Sequence, residues 1–540
     1  MKNNIKEFAQ QVQKVIGSEN CRLSGSVVAQ ISENTLGFYK AALGIVFPQS
    51  ITALKELLQI CNFHRISIHA ISQGKNVGYG DMTPAQDYQL IVSLSGLNQI
   101  SDYNPDDGSI TVGPGVTQQQ LCDFLVENGG RFWADMTGAS PGASIVGNTI
   151  EAGFGHTPLG DHRKHILGME CVLINGQEFN CCDMPAPGPD LAQLFIQTNY
   201  AIVTALKIPL FKVPEVALTY TISFDTDEQL FSGLDCLREL KLSGLVESLV
   251  HIGNSTRSLM TSFTFPDEID KSQTLSESDC RQILKNRLGL DPGAWTAVGC
   301  LYGYKLEVQE KAVHLENALK KYGRIRFLSD IKINLIERFI NWKVFNKSKR
   351  IQFIKKSFST LKAIHGIMRG TPSATPSKNI LWRNKSTDHC GLIWHSPVAT
   401  NNKEQIQELI HEHRQIFAKY GFEMPVTLTM VSSRKVILVF NINFDRCSVN
   451  DVQRAHGLYK ELAQITQMSG NQSYRYSLLG QPVRGLTSTK SQILLDLKRV
   501  FDPFNLLAPG RYGLDLKSVD EEKENSKNYS FGHEVKNETK

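Results

Sequence analysis

Seven glycines lie between residues 133 and 172, with small alanine and serine residues among them. Glycine lacks a Cβ and tolerates positive φ, so backbone in such a stretch can lie against a flat ring or direct successive N–H groups at a phosphate. Two more glycine loops lie upstream: the first glycine loop of the chain, SQGKNVGYG, covers residues 72–80, and GPGVT covers residues 113–117. Three such loops in one part of the chain predict a single large anionic ligand.

Short strands and helices must hold these loops in place. The pattern predicts a strand at residues 44–47, a helix over Ile51–His64 with Ser50 as its N-cap, and a second strand at residues 66–70. This β-α-β unit ends on the loop at residue 72, an arrangement that suits phosphate binding. Further strands are predicted at residues 90–94, 109–112 and 171–174, with a helix at residues 117–128 between the last two.

Composition limits the class of protein. The chain has 540 residues, of which 41% are hydrophobic, and can bury a large core in two or more domains. Its net charge of +5 is too small to indicate a nucleic-acid partner. The 11 cysteines include no CxxC pair of the kind that structural zinc sites need. Without a signal-like N terminus or a long apolar run, a reduced cytoplasmic protein is expected.

The glycine loops stop after Pro214, and a boundary is predicted at residues 213–218. Beyond it, helices are predicted at residues 308–322 and 404–420, and a hairpin at residues 426–430 and 436–441. Basic and apolar residues alternate between Arg338 and Arg369, which favours a solvated helix face over the substrate domain and leaves a membrane surface or an acidic partner as the alternative. Residues 516–540 are so polar that a disordered tail is expected.

Several spaced motifs together resemble a known family. The segments VFP, GKNVGYG, VGPGVT, SIVGNT, GDH, GMECVLINGQ and TNYAIVT follow in order up to residue 209, and SYRYS and FDPFNLLAPGRYG come near the C terminus. The set resembles the FAD-binding flavoproteins grouped with p-cresol methylhydroxylase and vanillyl-alcohol oxidase. It implies an α+β, two-domain flavoprotein: an FAD-binding domain at residues 1–215 (core about 43–212), an α+β substrate cap at residues 216–470, and a segment at residues 471–515 that returns to the FAD domain.

The resemblance also implies which residues bind FAD. The backbone amides of the first glycine loop are candidates for the pyrophosphate, and residues of the later loops sit where the family lines the cofactor. The first group is Gly74, Lys75, Asn76, Val77 and Gly78, and the second is Pro114, Gly115, Ala139, Ser140, Gly142, Ser144, Gly147, Asn148, Thr157, Asp161, His162, Ile202 and Val203.

Tyr79, Tyr474 and Arg475 match the residues that surround the phenolic oxygen of the substrate in this family. An arginine stays charged and two tyrosyl hydroxyls can donate to an oxyanion, so this trio would lower the pKa of a bound phenol. A phenolate pushes electrons toward its para carbon and eases hydride loss from the benzylic position to flavin N5, which leaves a quinone methide. Arg511 is a further candidate for positive charge near the flavin or substrate.

The chain departs from the family pattern at three places. GASPGAS puts Ala139 or Ser140 where vanillyl-alcohol oxidase has a catalytic aspartate, and His156 replaces a tyrosine. His156 is expected to be either a structural histidine or a base that works near neutral pH. Arg434 or its neighbours align with the residue that carries the flavin covalently, and the first glycine loop has no histidine. Noncovalent FAD is therefore predicted.

The leading function is FAD-dependent oxidation of a para-substituted phenol or aromatic alcohol. A hydroxy acid or a specialised-metabolite alcohol is the alternative substrate, and a non-catalytic flavin-binding interaction protein is the alternative class. Dioxygen or a cytochrome-like protein is expected to accept the electrons, and a homodimer is possible. No metal site is predicted, because His411 and His413 are two apart on a predicted helix, where a solvated face is expected.

Overall fold

The computed structural model describes residues 2–183, 188–342, 348–375, 382–383, 389–480 and 489–516. Its first sheet has four strands, β1 (Cys21–Arg22), β2 (Gly44–Val46), β3 (Ile68–Ile71) and β4 (Leu90–Ser93), in the order β1-β2-β4-β3. β4 runs parallel to both of its neighbours. Helices α1 (Lys2–Ile16), α2 (Ser26–Ser32) and α3 (Ile51–His64) accompany this sheet. The predicted start of α3 is confirmed, since the Ser50 hydroxyl accepts the Ala53 amide at 3.1 Å.

A second, antiparallel sheet follows. Its strands β5 (Ile100–Asn104), β6 (Ser109–Val112), β8 (Gly168–Val172), β9 (Glu178–Asp183) and β10 (Ile202–Pro209) lie in the order β5-β6-β10-β8-β9. Between them come α4 (Gln118–Glu127), α5 (Ile145–Ile150) and β7 (Phe132–Trp133), which pairs with β11 (Phe211–Lys212). The strand predicted at residues 171–174 is misplaced: β8 begins three residues earlier and ends at Val172, because Leu173 already turns to donate its amide to Gln177.

An eight-stranded sheet builds the cap. Its strands are β12 (Val216–Phe224), β13 (Val250–Asn254), β14 (Trp295–Gly303), β15 (Arg324–Leu328), β16 (Cys390–His395), β17 (Val398–Thr400), β18 (Val426–Met430) and β19 (Lys435–Asp445). The order is β15-β12-β14-β13-β18-β19-β16, with β17 beside β19. The cap helices are α6 (Asp227–Leu242), α7 (Ser255–Ser262), α8 (Glu277–Leu288), α9 (Lys305–Leu319), α10 (Asp330–Ile340), α11 (Lys349–Ile367), α12 (Lys403–Lys419) and α13 (Val449–Met468).

The two faces of the cap sheet differ in chemistry. One face contributes Ile252, Leu428, Leu438 and Phe440 to a large apolar core with the surrounding helices. Because side chains alternate along a strand, the neighbours of these residues point the other way. That second face carries two cross-strand pairs, His251 beside Thr429 and Trp394 beside Asn441. It is the face that turns toward the glycine loops, since Trp394 hydrogen-bonds to the backbone of Val77.

The prediction of a solvated helix face at His411 and His413 is wrong for His413. This side chain is fully buried, and its ring stacks on Phe440 with centroids 4.5 Å apart. His413 lies on the same apolar stripe of α12 as Ile406, Leu409 and Phe417, which explains its burial. His411 is exposed, so the two histidines point apart.

The basic segment forms parts of α10 and α11 that pack on the cap. Phe358 of α11 is buried, Ile354 packs beside it, and Lys362 pairs with Glu337 at 2.7 Å. These contacts favour the solvated-helix interpretation, although Lys343 and Lys347 lie outside the described residues, as does the expected tail from residue 517 onward. Within the described ranges, no helix has the length and apolarity to cross a bilayer.

The C-terminal segment returns to the first sheet. Leu507 forms a parallel bridge with Ile68 of β3, and the Ala508 amide donates to the Ile68 carbonyl at 2.7 Å. Helix α14 (Thr489–Phe501) supplies Lys498, whose ammonium donates to Asp502 at 2.6 Å, to the Asn199 carbonyl at 2.7 Å and to the Leu507 carbonyl at 2.8 Å. Both side chains of this pair are fully buried. The domain boundaries themselves stay a prediction.

We predict that Lys498→Met lowers the free energy of unfolding by about 3–5 kcal/mol, because Asp502 would then be a buried charge without its cation. Thermal unfolding of the FAD-loaded protein measures the effect. Arg499→Met on the same helix is the control, since Arg499 pairs with Asp496 at a partly exposed position and such pairs contribute at most about 1 kcal/mol. Equal shifts for the two variants would contradict the prediction.

Candidate cofactor and substrate site

A cleft lies between the first two sheets and the C-terminal segment. Its volume, including the part that is open to solvent, is about 1210 Å³. Its walls come from the end of β3, the loop that follows it, α5 and residues 507–512. Ten of the predicted cofactor residues line it, namely Gly74, Lys75, Asn76, Pro114, Ala139, Ser144, Gly147, Asn148, Ile202 and Val203. The glycine loops that are far apart in sequence therefore meet around one space.

Ser144 shows how the loops are joined. Its hydroxyl donates to the Pro114 carbonyl at 2.7 Å and accepts the Gly147 amide at 2.9 Å. These two bonds connect the GPGVT loop at residues 113–117 to the start of α5. Gly147 must be a glycine, because a Cβ there would lie 2.3 Å from the Ser72 hydroxyl. Gly74 has a φ of +64°, a conformation that favours glycine. The backbone can thus approach a ligand closely on this side.

Two predicted cofactor glycines have another role. The Gly78 amide donates to the Thr35 hydroxyl at 2.8 Å, and a Cβ on Gly78 would lie 2.4 Å from the Trp394 ring. The Gly115 amide donates to the Leu97 carbonyl at 2.9 Å. Both amides already have an acceptor within the protein, and neither glycine is part of the cleft wall, so their predicted contact with FAD stays a prediction. Val77, Ser140 and Gly142 are also absent from the cleft wall, and Val77 instead accepts the Trp394 indole N–H.

Thr157, Asp161 and His162 lie behind the cleft wall. His162 Nδ1 is 2.9 Å from Asn148 Oδ1, and its Nε2 faces Asp135 Oδ2 at 3.3 Å. The other oxygen of Asp135 accepts the Thr157 amide at 2.8 Å. Thr157 and His162 therefore support Asn148 through a buried carboxylate that the sequence analysis missed. Asp161 caps a short turn and pairs with Arg163 at 2.8 Å, away from the cleft wall.

Glu151, at the end of α5, is the main functional candidate that the sequence analysis missed. Its carboxylate pairs with Arg511 at 2.8 Å and with Arg475 at 3.3 Å, and it accepts the Tyr512 hydroxyl at 2.7 Å. Burial raises the pKa of Glu151, but the two guanidinium groups outweigh burial and lower it to about 2. Two cations and one anion leave a net charge of +1 beside the cleft, where Arg475 and Arg511 were predicted to supply positive charge.

The predicted substrate trio comes together next to this ion cluster. The hydroxyls of Tyr79 and Tyr474 are 3.4 Å apart, and the Arg475 guanidinium lies 4.4 Å from the centre of the Tyr79 ring. The Ser396 hydroxyl, which the sequence analysis did not single out, is 3.3 Å from the Tyr79 hydroxyl. Burial raises the pKa of Tyr79 well above its usual range, so this hydroxyl keeps its proton near neutral pH. Of the trio, Arg475 alone reaches the cleft wall.

His156 lies on the cap side of the glycine loops. Its Nδ1 is 3.0 Å from the Met136 carbonyl, which can only accept, so Nδ1 carries the proton and Nε2 holds the lone pair. The ring stacks on His251 with centroids 4.5 Å apart. Burial lowers the pKa of His156, and the imidazole is neutral near pH 7. This geometry suits a structural histidine and also a base, since a neutral imidazole that is fixed by a hydrogen bond at Nδ1 can accept a proton at Nε2.

The residues of the cleft fit FAD. His69 of β3 lines the wall and is buried, and its Nδ1 has no hydrogen-bond partner among the described residues. Burial, followed by the charge of Arg511, lowers the pKa of His69 to about 3, so the ring is neutral. An orphaned polar atom, a backbone cradle at Gly74 and Gly147, and a net positive charge are the features that a dinucleotide with an anionic pyrophosphate requires.

Arg434 lies outside this arrangement. It is exposed in the turn between β18 and β19 and is not part of the cleft wall. One further group of metal-type ligands occurs among the described residues: His389, Asp445 and Cys447 bring ligand atoms within 4.8 Å of one another at the surface of the cap. That group also lies outside the cleft wall.

Comparison with known proteins agrees with this geometry. Residues 42–181 match the FAD binding domain family. The chain is 26% identical over 533 residues to the hydroxylating 4-cresol dehydrogenase flavoprotein subunit of Pseudomonas putida, covering 95% of this chain and 96% of that protein. It is 25% identical over 529 residues to 1'-carboxy-chondrochloren decarboxylase of Chondromyces crocatus, covering 92% and 95%. A crystal structure of p-cresol methylhydroxylase with substrate bound superposes with a TM-score of 0.84 at 24% identity, covering 96% and 98%.

The FAD binding domain, the cleft and the cap sheet define a two-domain α+β flavoprotein with FAD as its cofactor, as predicted. The predicted resemblance to the FAD-linked oxidoreductases around p-cresol methylhydroxylase is confirmed by the matched FAD binding domain and by similarity over nearly the whole chain.

We predict that Glu151→Gln lowers the free energy of unfolding by about 3 kcal/mol at pH 7. This is the free energy that corresponds to the lowering of the Glu151 pKa on folding. Since the folded pKa is about 2 and the ordinary value is 4.5, the stabilisation is complete above pH 4.5 and disappears as the pH falls toward 2. Urea unfolding of wild type and variant at pH 7 and pH 3 should show a difference that narrows at pH 3. The exposed Glu127→Gln serves as control, and a pH-independent difference would contradict the assignment.

Proposed function

We propose that the protein oxidises a para-substituted phenol or an aromatic alcohol by hydride transfer to flavin N5. The arrangement of Tyr79, Tyr474 and Arg475 carries this proposal, because the two hydroxyls are 3.4 Å apart and the guanidinium lies 4.4 Å from the centre of the Tyr79 ring, beside the cofactor cleft. The relatives whose names specify a phenol, 4-cresol dehydrogenase and p-cresol methylhydroxylase, support the same substrate class.

The trio favours the ionised form of a bound phenol. Tyr79 stays protonated because burial raises its pKa, so its hydroxyl has a proton to donate to a phenolic oxygen. Arg475 keeps its charge, since Glu151 and the two tyrosines raise its pKa against the effect of burial. A phenolic oxygen placed among these donors loses its proton more easily than in water, because hydrogen bonds and a nearby cation stabilise the anion.

Ionisation prepares the substrate for oxidation. The phenolate releases electron density toward its para substituent, which lowers the barrier for losing a hydride from the benzylic carbon. FAD, when bound, supplies the acceptor for that hydride. The benzylic carbon is oxidised by two electrons and a quinone methide remains, to which water or another nucleophile adds. His156, with its free Nε2 lone pair, is the candidate base for the proton that the added water gives up.

We also propose that FAD is held without a covalent bond. Two cleft side chains, His69 and Tyr512, are of a type that could form one, and Tyr512 is already engaged by another residue. Tyr512 donates its hydroxyl to Glu151, and the Tyr512 pKa lies far above its ordinary value, mainly because of burial. His69 is the second residue of β3, where strand pairing on β4 fixes its backbone. The alignment of Arg434 with the attachment position does not contribute, because Arg434 is exposed and is not part of the cleft wall.

Tyr474→Phe is expected to slow flavin reduction by 4-ethylphenol about 100-fold, the usual cost of one lost donor to a developing oxyanion, while the FAD content stays that of wild type. Anaerobic stopped-flow bleaching of the yellow chromophore measures the rate. The exposed Tyr39→Phe is the matched control. Equal losses of FAD content and of reduction rate would contradict the role of Tyr474. Absence of flavin reduction by every phenol tested would favour a hydroxy acid substrate or a non-catalytic flavoprotein.

Acid precipitation of the purified protein is expected to release all of its yellow chromophore into the supernatant, because no bond holds the flavin once the fold is lost. The absorbance of supernatant and pellet at the flavin maximum gives the answer. Colour that stays with the precipitate through repeated washing would show a covalent link.

A further inference from the structure

Arg257 is a cation of the cap for which the described residues provide no counter-ion. It lies in the first turn of α7, is only partly exposed, and forms no ion pair within the described ranges. Its hydrogen bond to Asn441 Oδ1 is long, at 3.4 Å. Burial lowers the pKa of Arg257 to about 10, and no neighbouring carboxylate counters the effect. The guanidinium is still charged at pH 7.

Three other largely buried arginines form an ion pair with a carboxylate. Glu151 serves Arg475 and Arg511, and Arg383 pairs with the buried Glu423. A charge withdrawn from water without such a partner costs several kcal/mol unless something else compensates. A guanidinium offers several N–H donors in a planar fork, and one long bond to an amide oxygen leaves most of them available.

The chain makes room for this arginine on the face of the cap sheet that turns toward the glycine loops. A Cβ at Gly253 would lie 3.3 Å from Arg257 Cγ, so the glycine provides the space in which the aliphatic stem lies. The guanidinium is 5.8 Å from the centre of the Trp394 ring. Trp394 in turn donates its indole N–H to the Val77 carbonyl at 3.0 Å, in the loop that leads to Tyr79.

His251 lies between Arg257 and the substrate trio, on the side of Phe154. Its Nδ1 is 3.1 Å from the Thr429 hydroxyl, whereas its Nε2 is buried and has no partner among the described residues. The His251 ring lies 6.3 Å from Phe154, which lies 5.7 Å from Tyr474. The positive charge of Arg257 helps to lower the pKa of His251, after burial and His156. Arg257 and His251 thus lie together near the phenol trio, with no carboxylate among their contacts in the described residues.

We infer that Arg257 binds a carboxylate of the substrate, so that the preferred substrates are phenols whose para side chain ends in a carboxylate. The phenolic oxygen would lie at Tyr79, Tyr474 and Arg475, and the carboxylate at Arg257, with the reacting benzylic carbon between the two anchors. A carboxylate matches the guanidinium fork and supplies the missing negative charge. This inference rests on the proposed phenol oxidation and narrows its substrate class.

The experiment compares 3-(4-hydroxyphenyl)propanoate with 4-propylphenol, which differ in the terminal charge. For each, the second-order rate constant of flavin reduction is measured anaerobically in wild type, Arg257→Met and Arg257→Lys. Wild type should favour the carboxylate, and Arg257→Met should lower the ratio of the two rate constants about 10- to 100-fold, with partial recovery in Arg257→Lys. Arg287→Met, another cap arginine with 11% side-chain exposure, should keep the wild-type ratio.

The outcomes separate the two proposals. If phenols reduce the flavin but Arg257→Met leaves the ratio unchanged, the carboxylate assignment is overturned and phenol oxidation stands. If no phenol reduces the flavin, the proposal of phenol oxidation is wrong. Calorimetry with 3-(4-hydroxyphenyl)propanoate then tests the carboxylate site at Arg257 by itself. Binding that weakens at least tenfold in Arg257→Met would still support the anion site, and absence of binding, or equal binding by both proteins, would overturn it. Arg257→Lys covers the case in which the methionine variant does not fold.

Discussion

The site depends on one buried carboxylate, Glu151, which lies between two arginines from the far end of the chain. Neither Arg475 nor Arg511 could be withdrawn from water beside the other without an anion to hold them. The same carboxylate accepts the Tyr512 hydroxyl, and Arg475 donates to Asn76 in the first glycine loop at 2.5 Å. Glu151 therefore fixes the loop, α5 and the C-terminal segment relative to one another. The net charge that remains is the one an anionic ligand needs.

The cap adds the second constraint through the chemistry of its two sheet faces. Apolar residues such as Ile252 and Leu428 bury one face against helices, which stabilises the sheet without help from the other face. That other face is free to carry His251, Thr429, Trp394 and Asn441, which would be costly in an apolar core. A sheet with one apolar and one polar face thus forms the roof of a site rather than the middle of a sandwich.

Local signals in the sequence predicted local structure well. Ser50 and the apolar spacing of residues 54–61 define α3, and the alternating pattern of residues 426–430 defines β18. The glycine loops predicted the ligand cleft. Individual glycines were less predictable, because Gly78 and Gly115 lie in close packing against Trp394 and the Ser95 backbone, which by itself requires the absence of a Cβ. Sequence gives no way to separate these two uses of glycine, since both remove the same Cβ.

Residues that depend on distant partners could not be predicted. Glu151 follows an ordinary-looking TI dipeptide, and its importance arises only when residues 475 and 511 arrive. The same separation has a biosynthetic consequence. Ile68 and Leu507 pair at opposite ends of the chain, and residues 507–512 complete the cleft wall. The cleft wall can close only after the intervening residues, which include the whole cap sheet, have been synthesised, so the growing chain carries β3 without its last backbone partner until then.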